Sequence, residues 1–314
     1  MKHKFKIISY RSNIIEYKAE DIVSTKNDND DIKELVQIFK ELTQKYCNQH
    51  KYEFIFKNIT IDDLQPIIEN KNKYEFLNVK CNIWHDICLY KIFMIKNELI
   101  KDDSEYIALF DTDAIISNPN IKLEEFIDDE HEMFVCQSNN YYDIPQYLNK
   151  FVNCFNSFIH DEECLNEFLK NKNEIIKFNK KYNCDFFKTL TDLTFTQTTF
   201  NEGFFIVKNT KTMKDFFSML CENFYLSNLV FENLKNDTIC AIDGFLISLF
   251  NKSPRLYSLL KFLPLSTMGH ILGSNEHTYN INTTFVQHNY GTMPIKDRLE
   301  HAKLIKENKW WNNK

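Results

Sequence analysis

Residues 106–120 read YIALFDTDAIISNPN. Five strand-forming residues, Tyr106 to Phe110, run straight into two carboxylates one residue apart, Asp111 and Asp113. Apolar residues resume at once, and Asn118-Pro119 closes the segment. Two like charges at the end of the chain's most apolar strand repel each other, and burial worsens the repulsion. A divalent cation removes both problems: Mg²⁺ and Mn²⁺ prefer oxygen ligands and are often held by one or two carboxylates, with substrate phosphates completing the shell. The pattern therefore suggests a metal that holds a diphosphate. The plainer reading is a solvated turn, or Asp113 capping a helix. Other acidic clusters (Asp62-Asp63, Asp102-Asp103, Asp128-Asp129-Glu130 and Asp161-Glu162-Glu163) stand in polar surroundings and read as solvated faces.

Outward from this stretch, residues 5–9 read as a first strand. Residues 31–50 place Ile32, Leu35, Val36, Phe39, Leu42 and Tyr46 at helical spacing. Residues 52–56 (YEFIF) read as a second strand, and residues 82–100 as a helix with Ile83, Ile87, Tyr90 and Met94 on one stripe. Residues 133–137 and 200–207 are further strands, 211–225 and 237–250 helices, and 284–287 a late strand before a polar, helix-prone tail. The alternation of strand and helix predicts an α/β sheet with helices on its faces. In such open sheets ligands bind beyond the carboxyl ends of the strands, where Asp111 and Asp113 stand. Residues 141–198, rich in Asn, Lys and Phe, read as a helical insertion within one domain spanning 1–314.

The chain has 314 residues, 43% hydrophobic and 26% charged, enough for a large core. Its net charge of −6 at pH 7 disfavours a general grip on nucleic acid, though not a local basic pocket. The nine cysteines are odd in number and never spaced as C-x-x-C, which predicts reduced, mostly buried thiols rather than a disulfide frame or zinc site. The N-terminal MKHKFKIISY is too short an apolar run for a signal peptide or a membrane span. The expectation is a cytoplasmic protein, from a microbe or a large virus.

The strand and its Asp-Thr-Asp resemble the D-x-D motif of GT-A glycosyltransferases. Three further stretches, in the same order, resemble the galactosyl-, xylosyl- and mannosyltransferase family of yeast and plants. KYCNQHKYEFIF at 45–56 is similar to that family's Y-x-x-x-H-x-Y-x-F entry into the second strand. Asn201-Glu202-Gly203-Phe204-Phe205, followed by Asn209, resembles its N-[ST]-G-x-F-x-x-[RK]-N segment. Residues 286–291 (VQHNYG) are similar to its V-x-H-[FY]-x-G motif. The resemblance covers residues 5–300 or so, and implies a GT-A, Rossmann-like mixed sheet and a soluble transferase. Such an enzyme moves a sugar from a nucleoside-diphosphate donor, UDP-sugar favoured, to an acceptor hydroxyl of a glycan, protein or lipid-linked sugar, with retention.

The resemblance also implies roles. Asp111, Asp113 and His288 would ligate Mn²⁺ (or Mg²⁺), His288 otherwise being an ordinary hydrogen-bonded histidine. Ser9 and Tyr10, at the end of the first strand, match a nucleotide-contacting turn. Lys91, with Trp84, falls near a Trp/Lys pair preceding D-x-D; Lys91 and Thr112 join the nucleotide-sugar contacts. Asn201 and Gly203 would build the sugar pocket, Gly203 by letting backbone approach the donor closely, or else by making a strand bulge, and Glu202, unusual at this position, would touch the acceptor. Gly291 would stand in the last motif. Lys296, with Arg298 as a further candidate, would neutralise the leaving diphosphate in place of a lysine where this chain has Met293. Asp243 would face the anomeric centre, or else cap its helix, with Gly244 replacing the family's Gln. Two other readings stay open. One is a silent sugar- or nucleotide-binding relative. The other is a sugar-phosphate nucleotidyltransferase, which the glycine-free SYRSNIIEY after the first strand disfavours.

Overall fold

The computed structural model describes residues 3–12, 28–72, 83–137, 200–222, 224, 256, 258–264, 267–270, 284–288 and 294–308. The insertion expected at 141–198 and the helix expected at 237–250 lie outside the described residues, as do Asp243, Gly244, Gly291 and Met293.

The chain opens with β1 (Phe5–Ser12), α1 (Asp28–His50), β2 (Glu53–Ile59), α2 (Ile61–Asn72), α3 (Ile83–Lys101) and β3 (Tyr106–Phe110). It continues through β4 (Ala114–Ile116), a single 3-10 turn at Leu123–Glu125, β5 (Met133–Gln137), β6 (Phe200–Lys208) and α4 (Lys211–Glu222). β7 (Leu260–Leu263), β8 (Met268–His270), β9 (Val286–His288) and α5 (Ile295–Glu307) complete it. Six strands form one mixed sheet in the order β2-β1-β3-β6-β5-β7. β1 runs parallel to both β2 and β3, while β6 is antiparallel to β3 and β5. β4, β9 and β8 form a second, three-stranded sheet.

Helices cover both faces of the large sheet, which explains why β3 carries no polar alternation. Its successive side chains point to opposite faces, and each face meets a core. Ile107 and Leu109 pack with Leu89, Ile92 and Ile95 of α3 and Phe216 and Leu220 of α4. Tyr106, Ala108 and Phe110 pack with Leu35, Phe39 and Leu42 of α1 and Leu299, Ala302 and Ile305 of α5. On β1 the α3 side includes Lys6, only 1% exposed, whose ammonium meets Glu98 at 3.0 Å and Asp103 at 2.5 Å. Cys47, Cys136 and Cys221 are buried thiols, as the composition predicts. No helix among the described residues is long and apolar enough to cross a membrane.

Candidate active site

The site is built where β3 ends. The Asp111 N–H donates to Gly203 O at 2.9 Å, adding one bond to the β3–β6 ladder. The Ala114 N–H donates to Asp111 O at 2.9 Å, so the chain turns tightly through Thr112 and Asp113 and enters β4. β4 pairs antiparallel with β9, and the register sets Ala114 opposite His288. That pairing carries an imidazole from far along the chain to the two carboxylates. His288 Nε2 lies 3.3 Å from Asp113 Oδ1, and one ligating atom each of Asp111, Asp113 and His288 fall within 4.8 Å of one another.

Basic side chains bracket the acids. The Lys91 ammonium, on a residue 5% exposed, donates to Asp111 Oδ2 at 3.2 Å. Arg298 Nη1 stands 3.5 Å from Asp113 Oδ2. Burial alone would raise the Asp113 carboxyl, but the His288 imidazole, and then the Arg298 guanidinium, outweigh it and hold the group below its ordinary value. Asp113 is therefore a carboxylate at neutral pH, as a metal ligand must be.

Gly203 is explained by the same imidazole. A Cβ there would lie 2.7 Å from His288 Cε1 and 2.8 Å from each ring nitrogen, so only glycine leaves room for the ring. What the missing Cβ makes room for in this structure is the His288 ring. The bulge is present too. β5 and β6 pair regularly to Val135 opposite Phe205, then jump to Cys136 opposite Asn201. Residues 202–204 have no partner in that ladder, while Phe204 and Gly203 still follow β3 on the other side.

Two carboxylates and one imidazole, with glycine clearing space for the ring, form a donor set that suits a divalent cation. The ligand atoms are close enough to share one ion, and the residues fit it.

The other expected residues are placed as follows. β1 runs on to Ser12, so Ser9 and Tyr10 lie within the strand, opposite Phe56 and Lys57 of β2, rather than at a turn after it. Ser9 is fully buried, its hydroxyl making no hydrogen bond among the described residues. Tyr10 donates its hydroxyl to Ile87 O of α3 at 2.7 Å and packs edge-on against Tyr90. The side chains of Asn201 and Glu202 lie outside the described residues. Lys296 is exposed, and Arg298 comes to the acids instead. Lys296 and Arg298, two residues apart on α5, point about 200° apart, and Arg298 is on the inward row of Ala302 and Ile305 at i+4 and i+7. That phase was the signal, legible in the sequence, for ranking Arg298 above Lys296.

The flanking motifs prove architectural in the structure. The hydroxyl of Tyr46 donates to Ile121 O, and His50 Nε2 stands 2.7 Å from Pro119 O. Tyr52 donates to Glu124 and accepts from the Leu123 N–H. Together they anchor the segment that leaves β4. Asn209 donates its side-chain amide to Ser104 O and its backbone N–H to Glu105 O, locking the end of β6 to the start of β3.

No protein-family model matches the chain, and no curated protein matches it in sequence. Solved structures do resemble it. A glycosyltransferase involved in glycosylation of the major capsid of PBCV-1 aligns over 96% of this chain and 99% of its own, at 12% identity and a TM-score of 0.50. The chain has a GT-A fold. Mouse xyloside xylosyltransferase 1 aligns over 93% of this chain and 99% of its own, at 12% identity and a TM-score of 0.47. An active-site mutant of LgtC aligns over 95% of each chain at 12% identity and a TM-score of 0.43. At such identity the first likeness shows the fold alone. The likeness to the yeast and plant family remains a resemblance of motifs.

Proposed function

We propose that this protein is a metal-dependent glycosyltransferase. It takes a sugar from a nucleoside-diphosphate donor, a UDP-sugar by preference, and passes it to an acceptor hydroxyl with retention. The observation that carries the reading is the convergence of Asp111, Asp113 and His288 at the carboxyl end of β3. The GT-A fold supports it, since open α/β sheets bind ligands at this edge. The motif resemblance to the galactosyl-, xylosyl- and mannosyltransferases of yeast and plants, which runs through the same residues, supports it too.

Asp113 and His288, with Asp111, would hold Mn²⁺ or Mg²⁺. Bound there, the ion supplies positive charge against which a diphosphate leaves. Lys91 donates to Asp111 and holds its carboxyl group in place. Gly203 leaves room for the His288 ring. Ser9, one residue past the Ile8–Leu109 pairing of β1 with β3, is proposed to border the nucleotide. Asp243, at the start of an apolar helix in sequence, is proposed to orient the sugar, and residues 1–314 to act as one domain.

The test is a donor panel of UDP- and GDP-sugars with and without Mn²⁺, read by calorimetry and by nucleotide release. UDP-sugar binding that needs Mn²⁺, with nucleotide released, is expected. Asp113→Asn should abolish binding and Asp129→Asn, at an exposed acid, should not. Binding unaltered by a chelator would sink the metal-dependent reading. Binding without turnover, across a range of acceptors, would make the chain a binding relative.

A further inference from the structure

Resting on the proposed metal-diphosphate site, we propose that Arg298 is its exchangeable cation. Arg298 neutralises Asp113 in the metal-free protein and transfers to the diphosphate once a divalent ion takes that carboxylate.

The geometry around Asp113 motivates this. One carboxylate oxygen faces the imidazole of His288, at 3.3 Å, and the other faces the guanidinium of Arg298, at 3.5 Å. A contact of 3.5 Å is at the outer limit of a hydrogen bond, so this pairing is weak. The two side chains are 15% and 23% exposed, so their charges interact through a partly dry medium and a change of partner has large electrostatic consequences. Asp111 is held in the same way, by Lys91 at 3.2 Å. Each acid of the expected metal site thus has a basic side chain against it before any metal arrives.

A guanidinium cannot shed its proton to make room for an incoming divalent ion. It either stays and repels the ion, or turns to another anion. Its planar fork of N–H donors suits phosphate oxygens, which accept it two at a time. The backbone beneath it is already set. Both Asp297 and Arg298 donate their N–H groups to Pro294 O, forming the first turn of α5, so the exchange asks no change of the helix backbone. Lys296, exposed on another row of the helix, is not placed to take this part.

A linkage follows. The metal alone meets a resident cation, and a diphosphate alone meets two carboxylates. Together, each removes the obstacle to the other, so metal and nucleotide bind with positive coupling, and by reciprocity each raises the affinity of the other by the same factor.

Calorimetry on wild type and Arg298→Gln tests this with MnCl₂ alone, then UDP at saturating Mn²⁺. Removing the guanidinium should tighten Mn²⁺ binding about threefold or more, because repulsion is relieved. It should weaken UDP binding about tenfold, because a charge-assisted contact is lost. The opposite signs separate exchange from simple damage, which would weaken both. Arg298→Lys, which keeps the charge and loses the fork, should leave Mn²⁺ affinity near wild type and cut UDP affinity severalfold. It carries the test if the glutamine variant fails to fold. If either the Mn²⁺ or the UDP affinity of Arg298→Gln stays at the wild-type value, the exchange is overturned. If wild type itself binds neither Mn²⁺ nor UDP, it is the glycosyltransferase reading that fails; a wild type that binds both confines any failure to Arg298.

Discussion

At the scale of single residues, the site depends on an empty volume as much as on its ligands. Gly203 has no Cβ, and the His288 ring occupies the space that one would fill. The ring cannot easily retreat, because His288 is 8% exposed and sits on a strand paired on both sides. Gly203→Ala is therefore expected to displace the imidazole from Asp113 and weaken Mn²⁺ binding at least about tenfold, with overpacking costing about 1–3 kcal/mol of stability. Calorimetry and urea unfolding measure the two effects. Wild-type Mn²⁺ affinity in the alanine variant would mean that His288 is not a ligand. The acidic pair was legible in the sequence because its elements are local: an apolar strand, a turn and two acids within a few residues. The role of Gly203 was not. It arises from a contact between distant positions that only the pairing of β4 with β9 creates, and Gly203 read in isolation suggested an approach to the donor.

Among the elements, the segment from Ser117 to Glu125 shows how sequence motifs far from the chemistry support it. Ser117 donates its hydroxyl to Thr284 O, tying the start of the segment to the chain entering β9. Tyr46, His50 and Tyr52 then hold its later carbonyls and Glu124. Tyr52→Phe would remove the acceptor of the Leu123 N–H and the donor to Glu124 while keeping the ring in its aromatic cluster. The expected result is a loss of about 1–3 kcal/mol in unfolding free energy, the cost of stranding buried polar groups. Mn²⁺ affinity should stay at its wild-type value, and a large fall in it would make Tyr52 part of the site rather than of its support. The long elements were readable from periodicity: α1, α3 and the five main strands follow their apolar patterns. α2 was not expected, although Thr60-Ile61-Asp62-Asp63 carries a helix-start signal. Asp63 accepts from both the backbone N–H and the hydroxyl of Thr60, so one of the two acids read as merely solvated is a cap. β7 and β8 were also missed, since strands of four and three residues owe their existence to pairing rather than to local pattern.

For the molecule as a whole, the strand order is the information that local pattern lacks. β6 inserts antiparallel between β3 and β5, and β9 crosses to a second sheet to meet β4. Those non-local pairings bring Asp111, Gly203 and His288 together, and charge pairs between distant elements brace the result. Lys6 of β1 meets Asp103 beyond α3, Lys57 of β2 meets Asp63 of α2, and Lys261 of β7 meets Asp128. The Lys6 ammonium holds Asp103 below its ordinary value, and the Lys57 ammonium does the same for Asp63. Burial would raise Asp128, but Lys261 and His131 outweigh it and push it well down. The sign of the pH effect follows. A carboxyl whose folded value is depressed binds its proton more readily when unfolded. Its stabilising contribution is therefore complete above the unfolded value, about 3.9 for Asp, and disappears as pH falls through the folded value. Stability should be nearly level from pH 7 to pH 5 and fall steadily below about pH 4. Asp103 is 45% exposed, so its share is screened and should shrink in high salt, whereas Asp63, 24% exposed, should keep more of its own. Urea midpoints at pH 7, 5 and 3, each at low and high salt, measure this. An unchanged midpoint at pH 3 would show that these pairs do not stabilise the folded chain.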